Sequence, residues 1–160
     1  MSTSDTLYEE DFVRWSEDQA RALRDAARSG TNLPVDWDNV AEEVESLGRS
    51  QRSELRSRIR NIIEHLLKLE HSPAINPRRG WIDTIRRERA DLELLLEGSP
   101  SLKGELGTAV ADQSRRAAAL AASSLEASGE TAPAFLPAGT DAPYSVEQVA
   151  GDWFPTAPRA

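Results

Sequence analysis

The stretch IRNIIEHLLKLEH, residues 59–71, contains the most regular apolar pattern of the chain. Its isoleucines and leucines recur every three or four residues, the spacing that places side chains on one face of an α-helix. The pattern continues toward the N-terminus in the same phase, with Gln51 where an apolar residue is missing. The apolar positions are Val40, Val44, Leu47, Leu55, Ile59, Ile62, Ile63, Leu66 and Leu69.

We therefore predict one long helix from Asp36 or Asp38, either of which can cap it, to about His71. Pro73 ends it, because proline disfavours helical backbone at the residue before it. A break into two helices at Gly48 is the alternative, because glycine is a poor helix former.

Three more long helices and a short one are predicted around it. The first runs from Tyr8 to Ser29, the third from Gly80 to Glu97, and the fourth from the Ser99–Pro100 start to Ala127. Residues 130–160 are rich in proline but also carry Tyr144, Trp153 and Phe154, which favours an extended strap packed on the helices. Residues 145–150 should form one short helix with a Ser145–Gln148 capping box.

The fold class expected is all-α: a four-helix bundle with an extended C-terminal strap that carries one short helix. At 160 residues the chain has the length of a single domain. We expect residues 1–160 to form one helical domain, with the bundle core in 1–129 and the strap in 130–160. Alanine and leucine far outnumber valine and isoleucine, which agrees with helices and not with strands.

Composition and charge reduce the number of function classes to which the protein can belong. The chain has no cysteine, so it forms no disulfide, and its net charge of −8 disfavours non-specific nucleic-acid binding. Acidic residues predominate in 1–47 and 91–160 and basic ones in 48–90, so the basic middle either pairs with its flanks or binds an anionic partner. No apolar run suits a membrane span and the first residues do not resemble a signal peptide, so we expect a cytoplasmic protein without membrane contact.

The two histidines, His65 and His71, do not have the spacing of a metal site. Six residues apart on a helix, their side chains point about 120° apart, whereas helical metal pairs are three or four apart. We expect no metal and no cofactor, with His65 hydrogen-bonded at the edge of the core. Glu64 and Lys68, four apart, should pair on the surface. Catalytic residues are not predicted, because the chain lacks cysteine and a Gly-x-Ser-x-Gly elbow.

Seven segments in order resemble one known family over about 150 residues. They are LYEEDFVRW (7–15), VAEEVESLGRS (40–50), LRSRI with HLLK (55–68), WIDTIRRER (81–89), SPSL (99–102), APYSVEQV (142–149) and WFP (153–155). The chain thus resembles the bacterial family catalogued as domain of unknown function 29. The resemblance implies a soluble, all-α bacterial protein and assigns neither an activity nor a catalytic residue.

A polar residue interrupts the apolar stripe near the middle of each long helix. Antiparallel helices with short loops would bring these positions to a similar depth, so we predict a buried polar layer. Its candidate members are Gln19, Gln51, Arg58, His65, Arg89 and Gln113. One interpretation is a structural network, with Arg89 bonded to the glutamines and to a glutamate such as Glu88. The other is a site where Arg89 binds a carboxylate or phosphate.

Two functions follow as hypotheses. The first is a non-enzymatic interaction or regulatory module that binds a protein partner or self-associates as a homo-oligomer. The second is a bundle that binds a small anion, or acts as an enzyme, at the layer around Arg89. The first predicts exposed apolar area on helix faces, and the second predicts converging polar groups.

Overall fold

The structure, a computed structural model, describes residues 3–136, 138–156 and 158. Over these residues the chain is all-α and contains no strand, as predicted. The helices are α1 (Thr3–Glu10), α2 (Phe12–Arg28), α3 (Trp37–His71), α4 (Arg78–Gly98), a 3₁₀ helix (Pro100–Glu105), α5 (Leu106–Ala127) and α6 (Val146–Ala150).

Helix α3 is a single helix of 35 residues that continues through Gly48, so the alternative of a break there is wrong. Gly48 is buried, and a Cβ atom built on it would lie 2.5 Å from Ser16 Oγ of α2. The glycine therefore lets two helices approach closely, which explains its place inside a helix at some cost in helix propensity.

The predicted first helix is in fact two helices that meet at Asp11. The backbone of Asp11 is extended (φ −155°, ψ 93°), and its side chain accepts a hydrogen bond from the Arg14 N–H as the N-cap of α2. The same carboxylate accepts hydrogen bonds from the backbone N–H and the hydroxyl of Ser101, at 2.7 and 2.9 Å. A distant segment thus fixes the break, and the local apolar spacing did not reveal it.

The fourth predicted helix also divides. A helical segment begins after Ser99 as predicted, but it is a 3₁₀ helix before α5 starts at Leu106. Ser99 is buried, and its hydroxyl accepts a hydrogen bond from the Val13 N–H of α2. The Ser99 side chain therefore caps α2 and not the 3₁₀ helix that follows it.

The strap packs where the structure describes it. Phe135, Tyr144 and Val149 are buried, and α6 has the predicted capping box between Ser145 and Gln148. Pro137, Ala157, Arg159 and Ala160 of the predicted strap lie outside the described residues.

Contacts divide the chain into two compact units. Unit 1 comprises Met1–Glu54 and Leu94–Gly104, and unit 2 comprises Leu55–Glu93 and Glu105–Ala160. The core of unit 2 contains the isoleucines and leucines of the stretch at 59–71, each 1% exposed or less. The four-helix bundle and the single domain stay predictions.

Candidate functional site

Unit 2 contains a polar seam on α3 that faces α4. Its members, Arg58, Asn61, His65 and Lys68, follow one another at intervals of three and four residues, so they share one side of the helix. Arg58 donates hydrogen bonds to Glu88 and Asp91 of α4, at 3.1 and 2.9 Å. The Asn61 amide donates to the other oxygen of Glu88, at 3.2 Å. The seam thus joins α3 to α4 through charge-assisted hydrogen bonds.

Lys68 is the buried cation of this seam, with 5% of the residue exposed. Its ammonium donates to Glu64 at 2.9 Å, lies 3.5 Å from His65 Nε2, and sits 5.7 Å from the centroid of the Trp81 ring. The Glu64–Lys68 pair exists as predicted, but it is largely buried and not on the surface. A buried ammonium needs such partners, because an unpaired charge in the interior costs several kcal/mol.

His65 is a neutral imidazole in this arrangement. Its Nδ1 lies 2.8 Å from the backbone carbonyl of Asn61, and a carbonyl can only accept, so Nδ1 carries the proton. Nε2 then presents a lone pair to Lys68. Burial lowers the pKa of His65 below the ordinary histidine value, with the Lys68 charge acting in the same direction. The geometry makes His65 a hydrogen-bond acceptor for Lys68.

Arg89 of α4 binds the C-terminal segment. Its Nε donates to the Val149 carbonyl at 2.9 Å, and its Nη2 donates to the carbonyls of Gln148 and Trp153, each at 2.7 Å. Its guanidinium lies 4.8 Å from the centroid of the Phe154 ring. Burial lowers the pKa of Arg89, against the opposing charge of Asp152. Arg89 therefore holds the carbonyl end of α6 and the residues that follow it.

The six candidate residues divide between the two units. Asn61 connects Arg58 to His65: its side chain donates to Glu88, which also accepts from Arg58, and its backbone carbonyl accepts from His65. Gln113 accepts a hydrogen bond from Arg60 at 3.4 Å. Gln19 and Gln51 are half-buried and belong to unit 1. Convergence of all six on one layer stays a prediction.

Unit 1 shows a face of α3 that the sequence assigned to the core. Val40 and Leu47 are 40% and 45% exposed, although they belong to the apolar stripe, and Val44 is half-buried. These three residues are called here the apolar α3 face. The buried side of this part of α3 is formed by Ala41 and Gly48. These small residues contribute little to the apolar periodicity of the sequence, yet they are the ones that face the core of unit 1.

Charged residues flank the apolar α3 face. Arg24 of α2 donates to Glu45 at 2.6 Å and to Glu42 at 3.5 Å, and Arg49 also pairs with Glu42. The hydrogen bond from Arg24 lowers the pKa of Glu45. Further acids, Asp36, Asp38 and Glu43, are exposed. The face is thus an apolar strip with a charged rim in which acids outnumber bases.

The sequence pattern did not indicate that the apolar α3 face is exposed, because a periodic stripe predicts burial but does not identify the segment that would cover it. One signal was available: Val40, Val44, Leu47 and Gln51 have the alternating spacing of four and three that is typical of a coiled-coil seam. Across the residues with described structure, no three His, Asp or Glu side chains gather as metal ligands would. Nor does any helix in that part of the chain have the length and apolarity to cross a membrane.

Comparisons with known proteins agree with the all-α fold. The model of the family described as "Domain of unknown function DUF29" matches residues 7–154, and the chain therefore belongs to this family. A crystal structure of an alpha-helical protein of unknown function from Rhodospirillum rubrum is similar, with 27% identity and a TM-score of 0.75. The similarity covers 89% of this chain and 88% of that one. No curated protein matches the chain.

Proposed function

We propose that this member of the DUF29 family is a non-enzymatic interaction module of the bacterial cytoplasm and that it docks its partner on the apolar α3 face. The observation that carries the proposal is the exposure of Val40 and Leu47 within a stripe of core character. Covering apolar surface is favourable by about 25 cal/mol per Å², so a partner that shields these side chains gains binding energy. Apolar patches with polar rims are typical of protein–protein interfaces.

The hydrogen bonds of the buried and half-buried charges in unit 2 support interaction over catalysis. Lys68 is engaged by Glu64, His65 and Trp81, and Arg58 by Glu88 and Asp91. These charged groups already have hydrogen-bond partners, and their bonds stabilise the packing of α3 on α4. A catalytic acid, base or nucleophile would instead have to direct a reactive atom toward a substrate.

The alternative, a small-anion or enzymatic site at Arg89, has weaker support. Two nitrogen atoms of its guanidinium already donate to three carbonyls of the C-terminal segment. A carboxylate or phosphate that used the same donors would have to displace that segment.

The test is co-purification from the cells that naturally make the protein. Three tagged forms are compared: the wild type, the double variant Val40→Ser/Leu47→Ser, and the control Ile75→Ser/Leu120→Ser, which changes two exposed apolar residues of unit 2. The wild type and the control should retrieve the same protein, either another chain or an untagged copy of this one, and Val40→Ser/Leu47→Ser should lose it. An identical set of retrieved proteins for all three forms would contradict the proposed function.

A further inference from the structure

We infer that the partner of the apolar α3 face is the same face of a second copy, with the two α3 helices antiparallel. This inference rests on the proposed function and adds the identity and orientation of the partner. It starts from the spacing of Val40, Val44, Leu47 and Gln51, which match the inner positions of a two-stranded coiled coil. A strip of this kind can pack against its own copy, because side chains at the inner positions of each helix insert into holes between residues of the facing helix.

Orientation follows from the charge distribution along α3. Residues 36–45 contain five acids and no base: Asp36, Asp38, Glu42, Glu43 and Glu45. The next residues reverse the sign through Arg49, Arg52 and Arg56, with Glu54 as the acid among them. In an antiparallel pair, the acidic start of each helix lies beside the basic continuation of the other. A parallel pair would place the acidic segments side by side, which is repulsive.

Register follows from the apolar residues themselves. An antiparallel pair with its two-fold axis between Val44 and Leu47 places Val44 of one copy opposite Leu47 of the other. Val40 then lies opposite Gln51, so a polar side chain marks each end of the contact. One polar residue at an inner position is the kind of feature that fixes register in coiled coils. The pairing is isologous, so both copies contribute the same residues and the assembly closes as a dimer.

The size of the face predicts a weak dimer. Each copy contributes about two helical turns of apolar surface, less than the roughly 800 Å² per partner of a stable complex. Association should therefore occur at micromolar concentration or above. It should also weaken when salt is raised moderately, because exposed charges are screened beyond about 8–10 Å at physiological ionic strength.

The first experiment is sedimentation of the purified full chain from about 1 µM to about 500 µM, the range of weak interfaces. The mass should rise from 17.6 kDa toward that of a dimer. Leu47→Ser should raise the dissociation constant by about tenfold or more, because it removes an inner side chain. Ile75→Ser, which changes a more exposed apolar residue of unit 2, should leave it unchanged. Circular dichroism checks that both variants keep their helices.

The second experiment measures orientation and uses the absence of cysteine from the chain. Two single-cysteine variants, Val40→Cys and Gln51→Cys, are oxidised separately and as a mixture. The antiparallel pair predicts that the mixture forms the mixed disulfide faster than either variant forms a disulfide with itself. Faster disulfide formation by Val40→Cys alone would overturn the inference in favour of a parallel pair.

The outcomes separate this inference from the proposed function. A mass that stays at 17.6 kDa at every concentration overturns the second-copy inference. If Val40→Ser/Leu47→Ser also loses a different protein in the co-purification, the proposed function stands with another occupant. If the chain stays monomeric and all three forms retrieve the same proteins, both proposals are wrong. A dimer weakened equally by Ile75→Ser and Leu47→Ser also overturns the inference, because its contact then lies elsewhere.

Discussion

Arg89 shows at the scale of one residue how a charged side chain inside an apolar stripe is accommodated. Its guanidinium donates to three backbone carbonyls around the end of α6 and lies over the Phe154 ring. Carbonyls at a helix C-terminus lack partners within the helix, and a cation there also suits the helix dipole. Arg89 thus provides hydrogen-bond donors for carbonyls at the end of α6, and the dipoles of those carbonyls stabilise its positive charge.

Arg89→Leu should lower the free energy of unfolding by about 2 kcal/mol, because it leaves three carbonyls without their charged donor. Urea denaturation followed by circular dichroism measures the change. Arg87→Leu is the matched control, since it makes the same substitution at an exposed position of α4 and should change stability little. A more stable Arg89→Leu variant would argue for the opposite role, an arginine held ready for an anion.

At the scale of the element, the contact between α2 and α3 depends on small side chains. Ser16 is buried, its hydroxyl donates to the Val13 carbonyl, and it occupies the space that a Cβ atom on Gly48 would need. Glycine costs helix propensity here, and close packing of the two helices offsets that cost. The close approach also explains why the small residues of α3, and not Val40 or Leu47, face the core of unit 1.

Gly48→Ala should destabilise the protein by about 1–3 kcal/mol through overpacking, although the same change in an open helix is stabilising. Gly80→Ala is the matched control, because a Cβ atom at Gly80 of α4 would meet open space and should not destabilise. Adding Ser16→Ala to Gly48→Ala should recover most of the loss, because the remaining Cβ contact of 3.7 Å is ordinary. Chemical denaturation of the four forms measures this, and equal stability of the two glycine variants would refute the close contact.

At the scale of the whole molecule, the C-terminal segment completes the core of unit 2. Tyr144 is buried and its hydroxyl donates to Glu70 of α3 at 2.5 Å; burial raises its pKa far above the usual range, and the Glu70 charge adds to the effect. The Ser72 hydroxyl of the residue after α3 donates to Glu130. The segment therefore bonds to the end of α3 as well as to α4.

Truncation after Gly129 should lower the melting temperature by about 10 °C or more. It removes Phe135, Tyr144 and Val149 from the core, each worth about 1.5–3 kcal/mol, and a protein of this size loses about 2–4 °C per kcal/mol. Truncation after Thr156 is the control, because it keeps these three residues and should change the melting temperature little. Thermal unfolding followed by circular dichroism tests both, and an unchanged curve after the longer truncation would show that the segment does not stabilise the fold.

The sequence by itself determined the secondary structure to a large extent. The stripe through residues 59–71 predicted a long α3, and the Ser145–Gln148 capping box predicted α6. Both signals act between residues at most four apart, so they can be identified before any packing is known. The order of seven short segments also pointed to the family to which the chain belongs.

Only the tertiary structure decided which parts of those stripes are covered and which partners the polar residues take. Asp11 ends a helix because Ser101 lies against it, 90 residues later, and Arg89 bonds to carbonyls about 60 residues away. The stripe predicted burial for Val40 and Leu47, yet the side of α3 that carries Gly48 packs on α2 instead. The physical reason is that periodicity fixes a helix and its faces, whereas burial depends on which distant segment packs against each face.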